Sequence, residues 1–402
     1  MYTPQTSRHF TRHINQKTGM EFYVLSTHIA PVQQGFYFVN SGFSDDGRYL
    51  YFYCAYPPTK GHTLGVVDFA HDEVYALPDT GGSGWMIDPK TGNVLFGASE
   101  GIFCRTPHPQ DKPELILPMP KYLKEKGASH CGTHLTYTPD RSELIADIQT
   151  RAGSYIGSFN LITKEFTEWY HTEPGIPYNH AQCCPTNPDL CMCAHEYSFS
   201  AEKNCSVPPA LVDGIYPRLQ LIHRDGTREM RAPLENYATH EWWSADGTAI
   251  YYCNNSNDTY SSETSGGGNG KHLIARDRLG DNKPELICDI PIEGGVGTWH
   301  GHSTADDKYF IIDGSLPSYN SSWWRGCAST VRFWNNETKK LIDLVSYNPP
   351  VNGWTPDNQC PYHIDPHPRF VLNDTFITFT TTVCGRVDVA IAPVQQLIDA
   401  TK

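Results

Sequence analysis

The sequence contains no apolar run near the ~18 residues needed to cross a bilayer, so no membrane partner is expected. It also lacks a basic stripe: 31 Lys and Arg stand against 44 Asp and Glu, for a net charge of −13. Without such a stripe nothing displaces counterions from a phosphate backbone, and a nucleic-acid partner is set aside. An anionic ligand would have to find a few local cations against that field. Also missing are a G-x-S-x-G elbow, a phosphate-binding loop and a dinucleotide glycine fingerprint. The opening MYTPQTSRHFTRHINQKTG has basic residues but no apolar h-region, so a cytoplasmic location is expected, or a secreted one if a leader was removed. Helix signals are scarce. Only Lys121–Lys126, Pro208–Gly214 and Val394–Ala400 qualify as candidates.

Cysteine, by contrast, is plentiful at thirteen residues. Without a leader these read as free thiols in a reducing compartment. The Asn-x-Ser/Thr triplets at Asn204, Asn254, Asn257, Asn320, Asn336 and Asn373 point the other way, toward secretion. Cys183, Cys184, Cys191, Cys193 and Cys205 have the spacing CC-x6-C-x-C before the last of them, which is not a two-by-two zinc knuckle. They read better as small buried hydrophobes.

A repeat organises the rest. Polar turns followed by an apolar, aromatic-rich strand recur at 44–56, 88–99, 138–150, 187–197, 244–255, 305–315 and 372–383. The tight turns and period-two alternation mark strands, and a further hairpin usually follows each one. Four-stranded units repeated seven times describe an all-β, seven-bladed β-propeller, expected as one domain over residues 1–402. The Cys/Pro-rich stretch 174–213 and the Gly/Ser/Asn-rich stretch 254–271 interrupt the repeat without ending it.

Histidines concentrate just before the repeat turns: His130, His134, His180, His240, His300, His302, His363 and His367. In a propeller that position lies near one mouth of the central channel, so residues ~50–60 apart in sequence converge on one shared site. In YATHEWW, His240 and Glu241 head a strand, either as a structural pair or with His240 as a base. WHGHS sets His300 and His302 on one side of an extended segment, a spacing suited to metal ligation. Arg218, on an otherwise apolar strand, needs an anionic partner: a substrate carboxylate, or a neighbour such as Asp213 or Asp225. The stretch TPDNQCPYHIDPHPRF (355–370) is a proline-stiffened loop carrying Gln359, Tyr362, His363, Asp365 and His367. An amide, imidazoles and a carboxylate on a rigid loop are what a metal site requires.

With these residues in view, the chain resembles the oligogalacturonate lyases, seven-bladed propeller enzymes of pectin degradation. The likeness rests on TG-x-E-x-x-x-L (18–25), the HE pair His195–Glu196, the Arg-bearing strand 218–226, THEWW followed by DG (239–247), and PHPRF (366–370). It implies a divalent metal, manganese first and calcium as the alternative, with His300 and His367 as ligands. It implies His240 as the base and Arg218 as a holder of the substrate carboxylate. The family pattern Q-x-x-H-P-H-P is altered here. Ungapped, Asp365 and Tyr362 replace its His and Gln; with a two-residue insertion, His363 and Gln359 serve instead. Gln33 and Gln34 stand where the family carries His-Arg. His180, His195 and Tyr362 join Arg218 as the substrate-binding set, with Tyr362 able to protonate the leaving oxygen.

The expected activity is therefore metal-assisted β-elimination on short oligogalacturonides, acidic oligosaccharides, leaving an unsaturated uronate. The alternatives are a propeller lyase or glycosidase acting on a rhamnosyl-glucuronate or other uronate glycan, and a non-catalytic carbohydrate-binding propeller. The sequence carries no reading of oligomeric state.

Overall fold

The computed structural model describes residues 1–200, 205–207, 209–234, 238–255, 272–290, 300–316, 326–351, 362 and 364–402. Its strands form seven antiparallel sheets of four or five strands, with a separate two-stranded hairpin, Ser198–Ser200 with Cys205–Val207. This is a seven-bladed β-propeller.

Blade one runs from Val32–Gln34 to Glu73–Leu77, blade two from Ser83–Ile87 to Glu114–Pro118, and blade three from His130–Cys131 to Phe166–His171. Blade four runs from Tyr178–Cys184 to Arg228–Met230, blade five from Thr239–Trp243 to Glu285–Ile290, and blade six from Gly301–Ser303 to Lys340–Asn348. Blade seven takes Arg369–Val371, Phe376–Thr381 and Asp388–Pro393 from the C-terminal end. It is completed by Glu21–Leu25 and Phe10–Ile14 from the N-terminal end. Tyr23 and Val24 pair with Ile391 and Ala390, so the two ends of the chain close the ring by main-chain hydrogen bonds. A closed ring leaves only short outer edges unpaired.

Each of the seven repeated turn–strand segments is the second strand of a blade, from Tyr49–Ala55 in blade one to Phe376–Thr381 in blade seven. These strands are apolar on both faces because each sheet packs against a neighbour on either side. Tyr51 and Phe52, adjacent in sequence, are both fully buried, in different clusters. Blades two and three approach backbone to backbone: a Cβ on Gly97 would sit 1.5 Å from the Cys131 carbonyl oxygen, so only glycine fits there.

Helices form at Lys121–Glu125 and Gln395–Ala400, as expected. The third candidate does not form. Residues 209–214 have no helical turn, and Val212 instead bridges Ile215 through a tight turn in which Asp213 and Gly214 have positive φ. That turn chemistry outweighs the apolar spacing. Among the described residues no helix is long and apolar enough to cross a membrane. Most of the described cysteines are buried. Cys183, Cys184, Cys191 and Cys193 lie in the apolar clusters of blades three to five, as small hydrophobes.

Candidate active site at the channel mouth

The innermost strands carry the site, and a shared backbone feature aims its side chains. Four of these strands are broken near their start, at Gly84, Gly132, His180 and His240, where φ is 60°, 82°, 55° and 54°. At Gly84, His180 and His240 the break is a register shift in the pairing with the next strand. His367, just ahead of the innermost strand of blade seven, has φ 46°. Blades two and three fill the left-handed position with glycine, which adopts it freely; blades four, five and seven fill it with histidine, at a cost of ~1–3 kcal/mol each. Strain held at three such positions calls for a reason beyond folding.

The histidines meet around Tyr37, on the loop after the first strand of blade one. Gly35 N–H donates to Thr380 Oγ1 at 3.0 Å, and Asn40 Nδ2 donates to the Trp85 carbonyl at 3.0 Å, so blades seven and two anchor this loop. The half-buried Tyr37 ring lies 5.1 Å from that of His134, 5.9 Å from His180, 5.7 Å from His300 and 4.8 Å from His367. The His300 ring is 4.2 Å from both His240 and His367. Burial, with Glu241 next in effect, pushes the Tyr37 phenol well above its ordinary range.

Close to Tyr37, ligand atoms of His300, Asp365 and His367 all lie within 4.8 Å of one another. Asp313, almost fully buried, organises the two histidines: it accepts from His300 N–H at 2.8 Å and His367 N–H at 3.0 Å, and its Oδ2 lies 2.9 Å from His300 Nδ1. A carboxylate only accepts, so His300 Nδ1 carries the hydrogen and Nε2 keeps the lone pair a metal needs. The residues fit a metal. Two imidazoles and one carboxylate suit manganese or iron, whereas calcium prefers an all-oxygen shell. Of the two ways of reading the 355–370 loop, the one using Asp365 therefore has a geometry; His363 and Gln359 lie outside the described residues.

A charged cluster also acts on Tyr37. Arg218 Nη1 lies 2.6 Å from Glu196 Oε1 and its Nε 3.1 Å from Glu241 Oε2, and all three come from blades four and five. The partners are these glutamates, and the expected Asp213 and Asp225 are not among the ion pairs of Arg218 between described residues. Strand order explains this: Glu196 follows the second strand of blade four, whose end pairs with the strand Arg218 leads into. His180 Nδ1 approaches Glu241 Oε1 at 3.7 Å. Burial works against the Glu241 carboxylate, but Arg218 and His180 prevail and hold it at about 2. Glu196 is lowered by Arg218 first and then by His180, against its own burial. His134 is pushed well below its ordinary value by burial and by His180.

Other expected residues take different places. The Tyr362 hydroxyl donates to the Thr59 carbonyl, and its ring packs with Val32, Ala55, Ile364 and Val387, so packing occupies it. The His195 ring rests 5.0 Å from Tyr178, and its N–H donates to the Arg218 carbonyl; burial and Arg228 lower its pKa. His302 turns toward Phe370, at 6.2 Å, beside the cation of Arg369, rather than joining His300. Gln33 is fully buried and ties down the preceding loop, accepting from Ile29 N–H and donating to the Thr27 carbonyl. His134 joins the site as its place among the converging histidines implied. Tyr37 and Asp313 carry no sequence signal of their own, and Glu196 and Glu241 show only as the acidic neighbours of His195 and His240.

No protein-family model and no curated protein matches the chain. Solved structures do. An oligogalacturonate lyase in complex with manganese is 17% identical, with 96% of each chain covered and a TM-score of 0.68. The oligogalacturonate lyase of Vibrio parahaemolyticus is 16% identical over 96% of each chain, again at 0.68. The chain shares their fold. Hydrazine synthase of Kuenenia stuttgartiensis, at 10% identity, covers 91% of this chain and 98% of its own with a TM-score of 0.51, so the propeller by itself selects no chemistry.

Proposed function

We propose that the protein is a lyase that cleaves short uronate oligosaccharides by β-elimination. The observation that carries this reading is the contact of His240 with the His300–Asp365–His367 group, a candidate base against a candidate metal site. The fold shared with oligogalacturonate lyases supports it. Elimination removes the uronate proton α to the carboxylate, which is only weakly acidic. A divalent ion held by His300, Asp365 and His367 would withdraw charge from that carboxylate and so acidify the proton. His240 lies within reach of such a substrate, and Thr239 Oγ1 sits 3.1 Å from its Nδ1. With Nδ1–H donated to that hydroxyl, Nε2 has the lone pair a base requires. Arg218 is charge-balanced by Glu196 and Glu241, so the substrate carboxylate falls mainly to the metal side of the site.

The same cluster weighs against a glycosidase. That chemistry needs one carboxyl kept protonated near neutral pH, and Glu196 and Glu241 are both held ionised. The test is ultraviolet detection of the unsaturated product from digalacturonate, with elemental analysis of the purified protein to identify its ion. Wild type should carry a divalent metal and form product, and His240→Ala should lose about 10²–10⁴-fold in rate while keeping the metal. Product from glucuronate glycans alone would move the substrate class. No product from any uronide by metal-loaded protein would end the lyase reading.

A further inference from the structure

Elimination also needs a proton for the departing oxygen, and the site as argued so far supplies only a base. We infer that His180 is the general acid of this reaction, held in place by Glu241, which is itself clamped by Arg218. The inference rests on the elimination reading. Three observations carry it. His180 occupies the same strained position in blade four that His240 occupies in blade five, with φ of 55° and 54°. The two blades are neighbours, and Gln182 of one donates to the Glu241 carbonyl of the other at 3.1 Å, so the histidines share one wall of the channel. Finally, a buried carboxylate stands 3.7 Å from His180 Nδ1, which leaves Nε2 for the substrate.

This arrangement is a histidine oriented by a carboxylate that is oriented in turn. Arg218 fixes Glu241 through Nε at 3.1 Å, and the His180 N–H donates to Thr133 Oγ1 at 2.7 Å, pinning the strained backbone. The groups facing His180 are Glu241 and, through Arg218, Glu196; His134, with its ring at 4.6 Å and kept neutral by burial; and the Tyr37 ring. In the step, His240 takes the α proton and the C–H electron pair becomes the new C=C bond. The C–O bond breaks with its electrons on the leaving oxygen, which takes the proton from His180 Nε2. Exchange with water then restores both histidines.

The experiment compares wild type, His180→Asn and Glu241→Gln on digalacturonate and on a galacturonide whose 4-oxygen bears a nitrophenyl group. Asparagine tolerates positive φ, so this variant removes the acid with little extra strain. Nitrophenolate departs without protonation. His180→Asn should lose about 10²–10⁴-fold on digalacturonate and stay within a few-fold of wild type on the activated substrate. An acid works only while protonated, so rate on digalacturonate should fall at high pH. Glu241→Gln, a positioning variant, should lower kcat on digalacturonate with KM little changed and, like His180→Asn, spare the activated substrate. Equal losses of His180→Asn on both substrates, or no loss on either, would overturn the inference and leave the elimination reading standing. Wild type inactive on both would overturn the two together.

Discussion

At the scale of single residues, the Arg218 cluster is where charge has been taken out of water. Arg218 is 5% exposed and Glu241 2%, and such groups persist only because each neutralises the other. Arg218→Met should therefore cost about 3–5 kcal/mol in urea unfolding, since it leaves the buried Glu241 and the partly buried Glu196 without their cation. Wild-type stability in that variant would refute the ion-pair account. The pH dependence has a definite sign. Because the folded value of Glu241, about 2, lies below its ordinary 4.5, its stabilisation is present above the ordinary value and drains away as pH falls toward 2. Glu241→Gln should flatten that part of the stability curve.

At the scale of the element, the innermost strand is a holder with one adjustable seat. Its bulge turns a residue toward the axis by means of positive φ, and the identity of that residue separates structural blades from chemical ones. Glycine sits there in blades two and three, histidine in blades four and five. If strain is the cost of aiming His240, then His240→Gly should be more stable than His240→Ala by about 1 kcal/mol, with both inactive. Thermal or chemical unfolding of the two variants measures this. Equal stabilities would mean that the bulge relaxes without cost. The same logic accounts for Asp313: one carboxylate in the second strand of blade six fixes main-chain N–H groups of two blades, so the two histidines move as a unit.

At the scale of the molecule, the site exists only while the ring is closed, because its residues come from blades three to seven and Tyr37 from blade one. Closure rests on the pairing of Glu21–Leu25 with Asp388–Pro393. Removing residues 1–25 would expose the edge of the last C-terminal strand and the apolar face behind Phe22 and Val24. The truncated chain should lose cooperative unfolding and bind an apolar-surface dye. A truncated chain that keeps the wild-type unfolding transition would show that blade seven is stable without its N-terminal strands.

The fold was legible because a propeller repeats. Each Asp-rich turn with its following strand is a local instruction, and the seven copies map one to one onto the second strands. Several of the residues were legible too: His180, His240, His300, His367 and Arg218 stand out by type and position. Tyr37 was not, for nothing local distinguishes it from the aromatics packed beside it, Phe36 and Phe38. The partners of Arg218 were missed because Glu196 and Glu241 lie 22 and 23 positions away and meet it only across strands and blades. Asp365 was one of two alternatives that sequence spacing left open, and His300 and His367 have a carboxylate beside them only in three dimensions. The sequence by itself determined the strands, their number and the residue types available, since turns and alternation act over a few residues. Which side chains share a site, and with what charge, only the closed ring decided, since burial and electrostatics act through space.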